Sequence, residues 1–301
     1  MRMKTSTRIE MLKWKLSLHI KRVVNFLNQL RMKKSALLAF IILFILVVMS
    51  IFPQLFSLYS PTEVVGSAWE PPSLAHPLGL DDVGRDVLSL LIYGTRTSMI
   101  VGFCVAFLAI VIGMPIGMLS AYYGGMVDNI LMRITEFFLV IPSFPLMVIL
   151  AFILKPSLQT VILSIVVVVW TQPVRIIRSE VLSLKERLYI TRAKVVGNTN
   201  MRIISRYILP RVLPLAFSTM IMAMGWAIPS EAFLSWIGLG DPTNISWGTM
   251  LYYAFTRGAF TGNAWWHFIP PGIMILTVVI AFNILGHSME EILNPKLRKT
   301  I

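Results

Sequence analysis

Few residues in this 301-residue chain have the type and spacing to do chemistry, and they do not gather into a reactive set. The four histidines, His19, His76, His267 and His287, are scattered, so a metal site within the chain is not expected. Cys104 stands alone in an apolar run, which rules out an intrachain disulfide and a cysteine-based metal site. No Gly-x4-Gly-Lys-Ser/Thr phosphate loop occurs. Two carboxylates, Glu136 and Glu231, fall in apolar stretches, where an ionisable group usually marks an ion or proton path. Glu136 lies one turn from Arg133, a spacing that lets the two pair on a helix. Glu231, with Pro229 before it, suits a path-lining position or a contact with a second subunit; the plainer reading is an interfacial group bonded to nearby backbone. Such sparse charge argues against a proton or sodium relay. What remains is the chemistry of docking, concentrated in one basic interruption from Tyr189 to Pro210.

The elements that must position these residues are membrane helices. The chain is 56% hydrophobic and 14% charged, with mean hydropathy +0.75, which places it among integral membrane proteins. Crossing a bilayer as helix takes roughly 20 apolar residues, because every backbone group must be satisfied within the segment. Six stretches qualify: 35–56, 97–122, 130–154, 158–176, 212–237 and 268–287. The net charge of +13 then reads as topology and not as nucleic-acid binding. Ten of the 27 basic residues lie in 1–34, nine in 172–211 and three after Asn294. Six spans with both termini cytoplasmic put all of these, and Arg133, inside. Arg85, Arg96, Lys155 and Arg257 fall outside.

This gives a domain plan. Residues 1–34 form a basic segment whose Trp14 and interspersed Leu, Ile, Val and Phe suit an interfacial amphipathic helix touching lipid; the alternative is an arm that only sets topology. No cleavable signal is evident in it. A first transmembrane helix, 35–56, leads to an external segment, 57–96. There Asp81 or Asp82 is expected to cap an amphipathic helix running through Tyr93 and stopped by Gly94. The core, 97–290, carries a cytoplasmic loop at 177–211 and an external loop at 238–266, followed by a tail at 291–301. Asn244-Ile-Ser246 fits a glycosylation sequon. Trp265 and Trp266 read as anchors at the membrane interface. Pro142 and Pro145 should bend the third span, and Gly102, Gly113 and Gly117 should allow close helix approach.

Within the cytoplasmic loop, Ser183 followed by Glu186 reads as a capping box, and Gly197 with Asn198 as a helix stop. Thr199 or Asn200 starts a second helix expected to end near Pro210. Ala193 and Gly197 lie four apart, so a partner could approach the backbone there.

At these residues the sequence resembles the permease subunits of ATP-binding-cassette importers, in the dipeptide, oligopeptide and nickel group. The loop is similar to the family's Glu-Ala-Ala loop: Ala193 matches the second Ala, Gly197 the Gly, and Leu209-Pro210 the end. Thr191 stands for the Glu, Arg192 for the first Ala and Tyr207 for an Ile. Gly79-x-Asp81-x-x-Gly84-Arg85-Asp86 resembles the external segment that marks one of the two permease types. Tyr122-Tyr-Gly-Gly125, Ile141-Pro142-Ser143, Ser235-Trp-Ile-Gly-Leu-Gly240, Ser246-Trp-Gly248, Ala281-Phe-Asn-Ile-Leu-Gly286 and Asn294-Pro-Lys-Leu-Arg298 also fit, in consistent order.

The resemblance implies an all-α, type I importer permease in the cell membrane. This chain would catalyse nothing and hold no cofactor. Two partner ATPase subunits would bind ATP and Mg, beside a sister permease and an external substrate-binding protein. The coupling residues it implies are Tyr189, Thr191, Arg192, Ala193, Lys194, Gly197, Leu209 and Pro210, with Arg192 and Lys194 facing an acidic surface. Pro142 and Glu231 are candidates for the path. Peptides are the expected cargo; oligosaccharides or a nickel complex fit the same transporter type. The rival classes are a stand-alone ion-coupled carrier and an intramembrane hydrolase, the latter disfavoured because no nucleophile with a matching base stands in the spans.

Overall fold

The computed structural model describes residues 33–293. Residues 1–32 of the basic arm and the Asn294 to Arg298 match lie outside the described residues. Helices α1 (Lys34–Ile51), α2 (Val87–Tyr123), α3 (Gly125–Val140), α4 (Ser143–Ile153), α5 (Leu158–Val169) and α6 (Thr171–Lys185) come first. They are followed by α7 (Leu188–Val195), α8 (Asn200–Ile203), α9 (Leu209–Trp236), α10 (Trp247–Thr256) and α11 (Trp265–Leu293). No strand occurs among the described residues. Five helical segments are long and apolar enough to cross a membrane, and α3 with α4 makes a sixth if that bent pair is one span.

Several span limits differ from those expected, each for a physical reason. α2 is one 37-residue helix that joins the helix expected outside the membrane to the second span. Its cap is Asp86, not Asp81 or Asp82, because Asp86 Oδ2 accepts from the Ser89 amide at 2.8 Å. The helix passes Gly94 unbroken; the bare Cα there admits the Ser246–Trp247 backbone, which would lie 3.3 Å from an added methyl. The third span is bent by 87° between α3 and α4, where Ile141 before Pro142 stands in extended backbone. α5 and α6 pass together as one 28-residue segment, so the fourth span runs on into the basic stretch.

α2 is the hub, with α1, α5, α6, α9 and α10 all packed on it. Against α6 the approach is close. A methyl on Gly113 would lie 2.7 Å from the Trp170 carbonyl oxygen, and one on Gly117 2.6 Å from that of Val174. Gly102 faces the Ile228 side chain of α9, 2.7 Å from an added methyl. Where lipid offers no hydrophobic drive for helix association, such backbone proximity supplies the van der Waals contact. An ion pair between Lys33 and Glu291 ties the start of α1 to the end of α11.

Candidate functional site

The basic interruption folds as a compact cap on the ends of α2, α6 and α9. Ser183 lies in the last part of α6, so the expected capping box does not form. The apolar stripe Val174, Ile177, Val181, Leu184 keeps that helix packed through its last turn. α7 begins instead at Leu188, after Arg187 in extended backbone. Its end matches expectation. Gly197 has φ +83°, its amide donates to the Lys194 carbonyl at 2.9 Å, and the Asn198 amide donates to Ala193 at 3.1 Å, which together make a Schellman stop. Thr199 then caps α8 through the Arg202 amide. Pro210 ends nothing: α8 runs through one wide π turn, Ile204–Ile208, into α9. Proline lacks an N–H and crowds the carbonyl four residues back; the wide turn, closed by Leu209 N–H to the Ile204 carbonyl, accommodates both.

Ile190, Ala193, Ile203, Ile204 and Ile208 join Met118, Tyr122, Ile177, Val181, Leu184 and Val212 in a second apolar core, separate from the main one. Polar ties reinforce it: Tyr122 Oη donates to Asn200 Oδ1 at 2.8 Å, Lys185 Nζ to the Ala121 carbonyl at 3.3 Å, and the Arg211 guanidinium sits 4.4 Å above the Tyr189 ring. The cap and the three helix ends are therefore held as one body.

This corrects the expected docking surface. Ala193 is 6% exposed and faces its own chain, so no partner can reach the backbone there. The outward stripe of α7 is Leu188, Thr191, Arg192 and Val195, spaced at i, i+3, i+4 and i+7. Val195 is 82% exposed and Val196 81%, with Gly197 open beside them and Met201 exposed beyond. Lys194 is exposed, its ammonium 5.5 Å from the Tyr122 ring. The basic character of this stretch masks Leu188, Val195, Val196 and Met201 in the sequence; the i, i+7 spacing of Leu188 and Val195 is the signal that could have found the first pair.

At the other end of the bundle, the Gly79 to Asp86 motif is a self-bonded knot. Asp81 is fully buried; Oδ1 accepts from the Val83 and Arg85 amides at 2.9 and 2.8 Å, and Oδ2 from the Arg85 guanidinium at 2.7 Å. Asp86 holds Ser89 on one oxygen and His76 Nδ1, at 3.1 Å, on the other. Gly84, at φ +88°, lies so near Gly66 that a methyl would sit 2.1 Å from its carbonyl oxygen, and Gly79 lies nearly as closely on Glu70. Trp266 is buried and donates from Nε1 to the Leu80 carbonyl at 3.1 Å. It anchors this knot, not the membrane interface; Trp265 alone of the pair is exposed.

The intramembrane carboxylates also have defined places. Glu231 is 2% exposed and accepts from Ser235 and Ser246 hydroxyls at 2.7 Å each and from Ser98 at 3.2 Å. Its partners are side chains, not backbone, and it sits in the chain's interior, joining α2, α9 and the start of α10. Trp247, fully buried beside it, donates Nε1 to the Leu91 carbonyl at 3.2 Å. Arg133 and Glu136 make no ion pair; Asp128 instead binds Arg178 of α6 through two bonds of 2.8 and 2.6 Å. Pro142 is exposed at the bend.

Comparison with known proteins agrees with this architecture. Residues 113–299 match the family described as "Binding-protein-dependent transport system inner membrane component". The chain is 35% identical to the oligopeptide transport system permease protein OppC of Bacillus subtilis over 89% of its length and 88% of that protein's. It is 36% identical to the dipeptide transport system permease protein DppC of Haemophilus influenzae, covering 89% and 93% of the two chains. Among solved structures, an inward-facing MetNI methionine ABC transporter chain superimposes with TM-score 0.56 at 19% identity, over 68% of this chain and 96% of that one. That likeness is one of fold. With the family match spanning more than half the chain and the relatives nearly all of it, this multi-pass membrane protein belongs to the binding-protein-dependent transport system inner membrane components.

Proposed function

We propose that the chain is one of two membrane subunits of an ATP-driven importer of di- and oligopeptides. The observation that carries this is its likeness, over nine-tenths of its length, to relatives named for oligopeptide and dipeptide transport. The other parts are a sister permease, two ATPase subunits that bind ATP and Mg, an external binding protein, and the surrounding lipid. Both termini face the cytoplasm, and the outward stripe of α7 rests on an ATPase. Leu188, Val195, Val196 and Met201 supply apolar contact, and Arg192 and Lys194 supply charge toward an acidic surface. Because α7 shares a packed core with the ends of α2, α6 and α9, movement of the ATPase turns these helices together. The docking free energy must differ between ATPase states for anything to be transmitted. Pro142, at the bend of the third span, is the place where the path-facing segment changes angle.

The complex, reconstituted with its partner subunits, is expected to take up a labelled tripeptide only with ATP. Val195→Asp should release the ATPases and abolish uptake while the chain stays in the membrane. Uptake driven by an ion gradient without ATPase subunits would overturn the reading.

A further inference from the structure

The cap meets the three helices it covers in two different ways. α6 and α9 are tied to it along the chain: only Glu186 and Arg187 separate α6 from α7, and α8 runs through the wide turn into α9. α2 has no such tie, yet it is the hub on which the other helices pack. α6 grips α2 closely at Gly113 and Gly117, and a single close crossing is a pivot about which two helices can still change their angle. Fixing that angle takes a second hold farther along. Lys185 of α6 adds only a 3.3 Å bond to the Ala121 carbonyl from a flexible four-carbon stem. Among the described residues, the hydrogen bond and the cation–π contact between α2 and residues 188–208 both belong to Tyr122, five residues and about 7.5 Å beyond Gly117 along the helix.

Tyr122 is 5% exposed and stands in the last turn of α2 before the Gly124 stop, one turn beyond Met118 on the same face. Both side chains enter the second core with Ile190 and Ala193 of α7 and Ile203 of α8. The Tyr122 hydroxyl donates to Asn200 Oδ1 at 2.8 Å, at the first residue of α8, while the Lys194 ammonium lies 5.5 Å from its ring near the end of α7. One side chain of α2 thus holds both helices of the cap. Resting on the importer reading above, we propose that Tyr122 is the positioning residue that sets the angle of α2 to the cap, so that ATPase movement taken up by α7 turns the hub and, through it, the remaining spans. Its two parts divide the work. The ring fills the second core and keeps the cap folded, and the hydroxyl, directed at one atom of α8, fixes the angle. Tyr122 lies inside the cap, away from the outward stripe of Leu188, Thr191, Arg192 and Val195, so it acts on the ATPase only through α7 and α8.

The test uses the complete complex in proteoliposomes and reads labelled tripeptide imported per ATP hydrolysed. Tyr122→Phe keeps the ring in the core and removes only the hydroxyl. ATPase co-purification should stay at the wild-type level, while peptide imported per ATP falls about fivefold, the scale of one lost hydrogen bond expressed as a ratio. Asn200→Ala, at an exposed position where packing is not at stake, should give the same loss. The double variant should lose no more than either single one, because all three remove the same bond. An unchanged ratio in either variant overturns the proposal, as do losses that multiply in the double variant. So does a fall in ATPase co-purification that matches the fall in uptake, which would assign Tyr122 to the folding of the cap alone. If the wild-type complex imports no peptide, or if Val195→Asp leaves the ATPases bound, the importer reading or its docking surface fails and this role fails with it. That result is distinct from a wild-type complex that transports normally beside a Tyr122→Phe variant that stays fully coupled, which sinks the positioning role alone.

Discussion

Replacing Gly113 or Gly117 by valine should force α2 and α6 apart, and the size of the effect follows from the contact distances. Added methyls would meet the Trp170 and Val174 carbonyl oxygens at 2.7 and 2.6 Å, whereas ordinary contact begins near 3.4 Å. The helices must therefore separate by about 0.7–0.8 Å at that level. Neither obstacle is the end of a flexible side chain; both are helix backbone, which cannot turn aside. Overpacking of this kind costs typically about 1–3 kcal/mol, and a β-branched residue recovers little helix propensity over glycine. Each single substitution should thus lower the apparent melting temperature of the purified complex by on the order of 5 °C, read as an operational value because membrane complexes unfold irreversibly. The two positions lie four residues apart on one face and press on one helix, so a single displacement relieves both. The double variant should cost clearly less than the sum of the two, a coupling of about 1 kcal/mol. Coupled transport should suffer as well, because α6 leads straight into α7. Two neutral single variants, or strictly additive ones, would refute the backbone-to-backbone packing of α2 on α6.

Gly84→Ala should disrupt the Asp81 to Asp86 knot, since it combines a left-handed backbone with a methyl 2.1 Å from the Gly66 carbonyl oxygen; a loss of about 3 kcal/mol is expected, read as faster protease nicking within residues 57–86. Ser246→Ala removes both the cap of α10 and one donor to Glu231, and should cost about 2 kcal/mol by thermal denaturation; an unchanged melting point would show that Glu231 is not a joint between helices. Asp241 accepts from Thr243, Asn244 and the Leu158 amide at the start of α5. Burial opposes its ionisation, but these donors outweigh it and hold its carboxyl below the ordinary value. Its contribution is therefore fully present above the ordinary aspartate pKa and is lost as pH falls through the lowered one. Hydrogen exchange at the Leu158 amide should lose protection only in that acidic window, and Asp241→Asn should lose it at neutral pH as well.

The one-dimensional features were legible without coordinates. Apolar runs of bilayer length and glycine at a helix stop are local in their physics, so Gly197 and the family resemblance stood plain in the sequence, with the next cap narrowed to Thr199 or Asn200. Gly113 and Gly117 were also legible as sites of close approach, though not what they approach.

Features that depend on a distant partner were not legible in this way. Whether Ala193 faces an ATPase or its own chain depends on Ile177, Ile203 and Val212 packing around it. Trp266 looks like a lipid anchor until Leu80, 186 residues away in sequence, accepts its N–H. Gly94 looks like a helix end until Trp247 fills the space beside it. Glu231 looks like a residue of a path until three serines from three segments close over it. Hydropathy and backbone preference are properties of short segments, so the class of protein, most of its helices and its family could be read from the order of residues. Burial and pairing are properties of contacts between segments far apart in the chain, so only the packed molecule settles which residues face inward, outward or each other.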